Sequence, residues 1–363
     1  MKIKEKLTVA VLAGVLVLGL LLHLILPDAQ LSREERRHLE QRPEFTVDSV
    51  LSGEYAKDTE SYLLDQFPLR NGFRSIKSLW SYYVLGQRDV DGIFIRDGSA
   101  SKLGGELDER QIDMFTDKMN ALREKYFPDS KVSCLILPDK NYYLTMDGKY
   151  PGPDYEALYG RVEAGLPWAE QIDVRDCLDA KKYYATDSHW QQENLQAVRD
   201  RIADKMELEL PEWNSYRETV LPGFYGVYYG QAALPMPPEE LIYLENDVTD
   251  SAVVTGPELK GEQKVYAPER FSGMDGYDVF LHGAQAVVNI ENPLAGTDRE
   301  LIIFRDSFGS SLAPLLLPGY RTVTLIDTRY VNPAFLDRFV DFHGQEVLLL
   351  YSASMVNSAA VLQ

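Results

Sequence analysis

The apolar positions of the chain change period twice. Leu7 to Leu26 reads LTVAVLAGVLVLGLLLHLIL, twenty residues with no formal charge at neutral pH. That is about the ~20 residues a helix needs to cross ~30 Å of hydrocarbon. Pro27-Asp28 ends the run, and no small-x-small cleavage site follows it, so an uncleaved anchor is expected over a secretory signal. Residues 27–90 then follow a helical period. Ser32, with Glu35 at capping-box spacing, predicts a helix start. Tyr55, Tyr62, Leu63 and Phe67 fall at spacings near seven and four along a helix from Glu54 to Phe67 that Pro68 stops. Phe73 to Tyr83 predicts another. Whether these helices form a stalk or dock on the main domain stays open.

From about residue 91 short apolar runs alternate with helical or turn segments. Ile93-Phe94-Ile95 lies between Asp91-Gly92 and Asp97-Gly98 and predicts a short strand. Gln111 to Tyr126 predicts a helix, Val132 to Leu137 a buried strand, and Leu301 to Phe304, Val323 to Ile326 and Val347 to Leu350 three more strands. Continuous apolar strands of this kind indicate a parallel sheet covered on both faces. Ligands bind such sheets beyond the carboxyl ends of the strands. Ser307, Arg329 and Asp139-Lys140 each follow a predicted strand at that end. Residues 211–275 are rich in Pro and Tyr and predict an insertion or lid. Its tyrosines either stack on sugar rings or, as the plainer reading has it, pack the insertion itself.

The formal net charge of -19 excludes a general nucleic-acid binder, since phosphate binding rests on Lys and Arg. Lys2, Lys4 and Lys6 precede the apolar block and Arg33, Arg36, Arg37 and Arg42 follow it, so charge does not orient it. A head of residues 1–6 with everything else behind the span suits a signal anchor whose long domain is exported. Cys134 lies in an apolar run and Cys177 before a polar segment; two free thiols are expected. The five histidines are scattered and no pair has zinc spacing, so no metal is expected.

Two motifs carry candidate chemistry. Asp187-Ser188-His189-Trp190 sets a carboxylate two residues from an imidazole, on the same face if the segment is extended. Arg305-Asp306-Ser307-Phe308-Gly309 sets a serine at a strand-to-helix junction, the helix running through Leu315. Together they supply nucleophile, base and orienting acid for acyl transfer. Each also has an ordinary reading. Ser307 is a common helix cap, and Asp187 would cap a helix through Gln191 to Met206.

Tyr183-Tyr184-Ala185-Thr186-Asp187-Ser188-His189-Trp190 resembles the signature of the DHHW family of exported bacterial proteins, and the alginate O-acetyltransferases share the Asp-x-His-Trp element. Supporting matches are Gly53-Glu54-Tyr55, Asp65-Gln66-Phe67-Pro68-Leu69-Arg70, Leu137-Pro138-Asp139-Lys140, Tyr277-Asp278-Val279-Phe280-Leu281 and Ile326-Asp327-Thr328-Arg329-Tyr330. The resemblance implies a three-layer α/β domain of the SGNH-hydrolase-like (flavodoxin-like) type over residues 91–363. It also implies Ser307 as nucleophile, His189 as base, Asp187 as orienting acid, and transfer of acetyl groups to a cell-surface glycan. Family members carry Gly-Gly-Asn after the Phe-Leu strand, where this chain has His282-Gly283-Ala284-Gln285. Gln285 would then replace an oxyanion donor, with Gly283 and Phe308 as further candidates. Family members also show Thr and then Gly-Ala after the Trp, where Gln191-Gln192-Glu193-Asn194 stands here.

Arg329 is either a binder of a carboxylate or phosphate on the acceptor or half of a structural ion pair. Tyr330 and Trp190 join it as candidate substrate contacts, and His282 lacks an evident carboxylate partner. The expectation is a membrane-tethered, extracytoplasmic O-acetyltransferase that needs an acetyl donor but no bound cofactor. Its acceptor would be a polysaccharide or sugar, and a multi-span membrane acyltransferase would supply acetyl. A glycan acetyl-esterase and a non-catalytic glycan-binding or scaffold protein are the alternatives.

Overall fold

A computed structural model of the chain describes residues 3–32 and 34–363. The expected head of residues 1–6 is therefore described only from residue 3, and Lys2 and Arg33, two of the charges weighed for orientation, lie outside the described residues. The chain divides into two compact units, Met1–Asp91 with Tyr229–Met236, and Gly92–Tyr228 with Pro237–Gln363.

The first unit begins with α1, Ile3–Ile25, whose stretch Lys6–His23 is long and apolar enough to cross a membrane. The capping-box hydrogen bond expected at Ser32 is made, from Glu35 N–H to Ser32 Oγ at 3.2 Å. It starts no helix. It closes the turn of a small hairpin in which Leu31–Ser32 pairs with Arg37–His38. The turn is fixed by Arg37, whose guanidinium grips both oxygens of Asp65. The two later helices form as predicted: α2, Glu54–Asp65, and α3, Arg70–Leu79, which continues through one π-helical turn, Trp80–Val84.

The second unit is built on a seven-stranded sheet. In chain order its elements are α4 (Glu109–Tyr126), β1 (Val132–Leu137), α5 (Tyr155–Gly165), β2 (Glu170–Gln171), α6 (Gln196–Met206), β3 (Val253–Thr255), β4 (Val287–Glu291), β5 (Glu300–Arg305), α7 (Gly309–Leu316), β6 (Thr322–Ile326) and β7 (Glu346–Ser352). The spatial order is β2-β1-β7-β5-β6-β4-β3. The sheet is mostly parallel. β4 runs against both β6 and β3, which corrects the expectation of a wholly parallel sheet. The five strands joined by parallel pairing, renumbered along the chain, stand in the order 2-1-5-3-4, whereas a flavodoxin-like sheet has 2-1-3-4-5. The difference arises because the last strand inserts between β1 and β5. Ile93–Arg96 stays outside this sheet, in a hairpin with Ser99–Lys102 whose turn residues Asp97 and Gly98 both take positive φ.

Two cores explain the apolar runs. Leu301 and Ile303 of β5 join Leu348 and Leu350 of β7 and Leu135 and Leu137 of β1, under Val198 and Ile202 of α6 and Leu312 and Leu316 of α7. Ile302 and Phe304 point the other way, to Val347, Leu349, Cys134 and Ile136, under Phe115 and Met119 of α4 and Leu158 and Val162 of α5. With side chains alternating across the sheet and helices on both sides, every position of β1 and all but the first of β5 and β7 are buried, so in these strands the polar half of the usual alternation is missing. The 211–275 segment supplies a hairpin, Arg217–Phe224 with Glu239–Glu245, and then β3 at the edge of the main sheet. Its residues Tyr216, Tyr243 and Tyr266 belong to the first core, whereas Tyr225 is exposed. Cys134 and Cys177 are separate, buried thiols.

Because both faces of β5 are covered, Ile303→Ala and Phe304→Ala are each expected to lower unfolding stability by about 2–5 kcal/mol. Urea denaturation of the two variants measures this. A sheet solvated on one face would lose stability at only one of these neighbouring positions.

Candidate active site

Three strands end side by side at the carboxyl edge: β1 into Asp139-Lys140, β7 into Ser352-Ala353, and β5 into Asp306-Ser307. A cavity of about 550 Å³ opens there, with Ser307, Ser188, Asp139, Lys102, Tyr228 and Ser354 in its lining. Asp306 fixes the exit of β5. Its carboxylate accepts from Phe308 N–H (3.1 Å), Ser352 N–H (2.8 Å) and Ser352 Oγ–H (2.7 Å). Gly309 follows because a Cβ there would sit 2.8 Å from that of Arg305. α7 can therefore start directly beneath Ser307.

Ser307 Oγ lies 2.7 Å from His189 Nε2, and His189 Nδ1 lies 2.7 Å from Asp187 Oδ1. Asp187 also accepts from His189 N–H at 3.1 Å and Val227 N–H at 2.9 Å, and it is fully buried. Asp187 does not cap the helix that follows it in sequence; the helix N–H it accepts is that of Val227, at the start of Val227–Ala232. The segment after Asp187 is a single 3₁₀ turn, Gln192–Asn194, and α6 begins only at Gln196. The imidazole stacks on Tyr277, centroids 3.9 Å apart and planes 10° apart, and Tyr277 Oη–H donates to Ser311 Oγ at 2.7 Å. With one nitrogen facing a carboxylate, one facing a hydroxyl and an aromatic ring behind, the imidazole is held in one orientation. Such an arrangement can take a proton from the serine and return it to a leaving group.

The loop that bears Asp187 and His189 is irregular and buried, and two charged side chains serve its backbone. Lys140 Nζ donates to the carbonyls of Tyr184 (2.8 Å), Asp187 (2.7 Å) and Ala185 (3.4 Å), and lies over the ring of Tyr228. Burial pulls this ammonium down to about 7, against the opposing influence of Asp187 and Glu239. Glu239 takes the N–H groups of Ala185 (2.6 Å) and Thr186 (2.8 Å). Gly226 closes the packing, because a Cβ there would meet Thr186 O at 2.2 Å. Next to the loop Glu193 is mostly buried, its Oε2 without a hydrogen-bond partner, and burial raises its carboxyl to about 7.

The remaining sequence candidates fall elsewhere. Gln285, Gly283, Arg329, Tyr330 and Trp190 do not line the cavity at Ser307. Gln285 Nε2–H donates to His282 O, and Gly283 N–H donates to Phe280 O. Gly283 lacks a Cβ because Asp278 would stand 2.2 Å from it. Phe308 does border the cavity, but its N–H already has Asp306 as acceptor. Arg329 holds both oxygens of the fully buried Asp327, at 2.9 and 2.6 Å, which makes it a structural ion pair, with Tyr330 against its guanidinium. Trp190 is fully buried and its Nε1–H donates to Ser311 Oγ. His282 Nε2 faces Lys264 O, away from the triad. The sequence sets Lys140 at the ligand-binding end of the sheet and Tyr277 in a family-like segment, but it assigns neither a role, and Glu239 carries no sequence signal.

No family model matches the sequence, and no curated protein matches it. Among solved structures the fold is similar to a DHHW family protein from Eubacterium siraeum, at 19% identity and a TM-score of 0.61, over 76% of this chain and 97% of that one. It is similar also to Bacillus cereus PatB1, in a structure with a sulfonyl adduct, at 17% identity and a TM-score of 0.57, over 74% and 96%. Likenesses at these identities speak for the fold. Pseudomonas aeruginosa AlgX aligns at 11% identity and a TM-score of 0.36, too slight to carry an argument.

Two outcomes are expected at the loop. Lys140→Met takes a donor from each of three carbonyls, so hydrogen exchange across residues 183–190 is expected to accelerate while β5 and β7 keep their protection. Glu193 ionises later in the folded chain than in the unfolded one, so its burial costs nothing below about pH 4.5, and the cost is complete above about 7. Glu193→Gln is therefore expected to raise stability by about 1–3 kcal/mol at pH 8 and to change it little at pH 4, read by urea denaturation at both pH values.

Proposed function

We propose that the chain is a DHHW family member of the SGNH-hydrolase-like class, a membrane-anchored extracytoplasmic O-acetyltransferase acting on a cell-surface glycan. The observation that carries this reading is the relay Asp187–His189–Ser307, closed by two 2.7 Å hydrogen bonds at the mouth of a cavity. The fold likeness to a DHHW family protein supports the family, and α1 supports the anchor. Acetyl transfer, the glycan acceptor and export of the main domain follow from the sequence resemblance. So does a multi-span membrane acyltransferase as the source of acetyl, since acetyl-coenzyme A is not expected outside the cytoplasm.

In this reading Ser307 Oγ attacks the donor's acyl carbon as His189 Nε2 takes the hydroxyl proton, while Asp187 stays ionised and steadies the imidazolium. The tetrahedral oxyanion collapses, the leaving group departs with the proton from His189, and an acyl-serine remains. An acceptor hydroxyl then gives its proton to His189, attacks the ester carbonyl and leaves as the acetylated sugar, with Ser307 restored. The N–H of Ser307, which has no acceptor among the described residues, would be a donor for the oxyanion. Water in place of the sugar would give an esterase through the same acyl-serine, so the acceptor decides between the two.

The full chain incubated with 4-nitrophenyl acetate is expected to gain about 42 Da, one acetyl, on Ser307, and to lose that adduct in Ser307→Ala. His189→Gln and Asp187→Asn are expected to slow acylation by about 10³-fold or more. Intact mass and release of nitrophenolate measure both. Added oligosaccharides that become acetylated support transfer, whereas release of acetate unaffected by them supports an esterase. A folded chain that binds oligosaccharide but takes no label from several acyl donors would be a glycan-binding protein instead.

A further inference from the structure

α3 and its π-helical extension are amphipathic in the reverse of the usual sense. Phe73, Ile76 and Trp80 follow at spacings of 3 and 4, which sets them on one helical face, with Leu69 as the cap residue before the helix and Tyr83 in the π-helical turn after it. That face is turned to the outside: the five side chains are 54, 63, 57, 77 and 67% exposed. The charged face is the one bonded inward. Arg70 and Arg74 both pair with Glu35, and Arg74 also donates to the carbonyls of Gly230 and Gln231. A stripe this long exceeds the scattered apolar residues of an ordinary soluble surface and marks a contact with something apolar.

Its place along the unit says what that is. The end of α1 is tied to the end of α2. His23 Nδ1 lies 3.3 Å from Gln66 O, and its ring packs edge-on against Tyr62. Gln66 exchanges two side-chain hydrogen bonds with the backbone of Ala29, each 2.9 Å, and Tyr62 Oη–H reaches Asp28. Gln66 therefore stands where the apolar helix stops, and Leu69 is three residues farther, within about 11 Å by chain length alone. Trp and Tyr are the residues that settle at the boundary between headgroups and acyl chains. Among the described residues of this helix Lys77 is the exposed cation, and it faces Asp91, so the attraction is apolar and needs no anionic lipid.

We propose that residues 69–84 lie along the bilayer surface as an interfacial helix, with Phe73, Ile76 and Trp80 sunk into the boundary of headgroups and acyl chains. Helices of this kind bury their apolar face by about 5–10 Å. The inference rests on α1 being a membrane span. It gives the first unit a second contact with the lipid, in addition to the tether.

The test uses the full chain in phosphatidylcholine vesicles, prepared with ordinary or brominated acyl chains, alongside Trp80→Phe. The chain has four tryptophans, so the parent-minus-variant spectrum isolates Trp80. Flotation of the vesicles first shows whether the chain is anchored. For chains that float, the Trp80 spectrum is expected to lose half or more of its intensity in brominated lipid. An unquenched spectrum from a floating chain overturns the interfacial helix and leaves the anchor standing; if Trp80 is then also shielded from aqueous acrylamide, a protein covers the stripe instead. A chain that does not float overturns the anchor and the interfacial helix together.

Discussion

The site depends on answering the backbone of one buried, irregular loop. Residues 184–189 form neither helix nor ladder, yet they lie inside the molecule, where an unpaired carbonyl or N–H is costly. Lys140 answers three of their carbonyls and Glu239 two of their N–H groups. The two charges that do this are themselves buried or half-buried, and each is satisfied by the polar backbone that it serves. Asp187 and His189 gain their fixed geometry from this mutual arrangement, since nothing in a short Asp-x-His segment would hold an imidazole in place by itself.

The sheet provides the other half. β5, β7 and β1 are adjacent, so their carboxyl ends bring Ser307, Ser352 and Lys140 within one neighbourhood, although they come from widely separated parts of the chain. Asp306 stitches β5 to β7, and Lys140 stitches β1 to the loop. Serine and histidine thus meet because each is anchored to the same three strands. Burial on both faces makes those strands stiff, and close packing transmits little slack to their ends.

The sequence was most legible where the signal was local. The apolar runs of β1, β5, β6 and β7 mark strands because full burial removes polar positions, and the Asp-x-His and Asp-Ser motifs lie within a few residues. β2, two residues of Glu and Gln, and β3, three residues long, have no such run, and Asn289 interrupts β4. Lys140, Glu239 and Tyr277 act across long separations, so no spacing reveals them. Arg329 follows from a sound rule applied to another part of the edge, and Gln285 from the family resemblance. They belong to the β6–β4 side of Ser307, whereas the cavity opens over β7 and β1. Ser32 shows the same limit at short range, because a capping hydrogen bond can close a hairpin turn as well as a helix.

The position of β7 has a kinetic consequence. The strand that joins β1 to β5 is the last of the sheet to be synthesised, so a nascent chain that ends before residue 346 can form β1 with β2, and β5 with β6, but cannot join the two pairs. Neither pair has a complete core until β7 enters between them, which places cooperative folding late in synthesis and makes it depend on pairing across more than two hundred residues. If the second unit is exported as proposed above, that delay keeps the polypeptide open while it is threaded across the membrane.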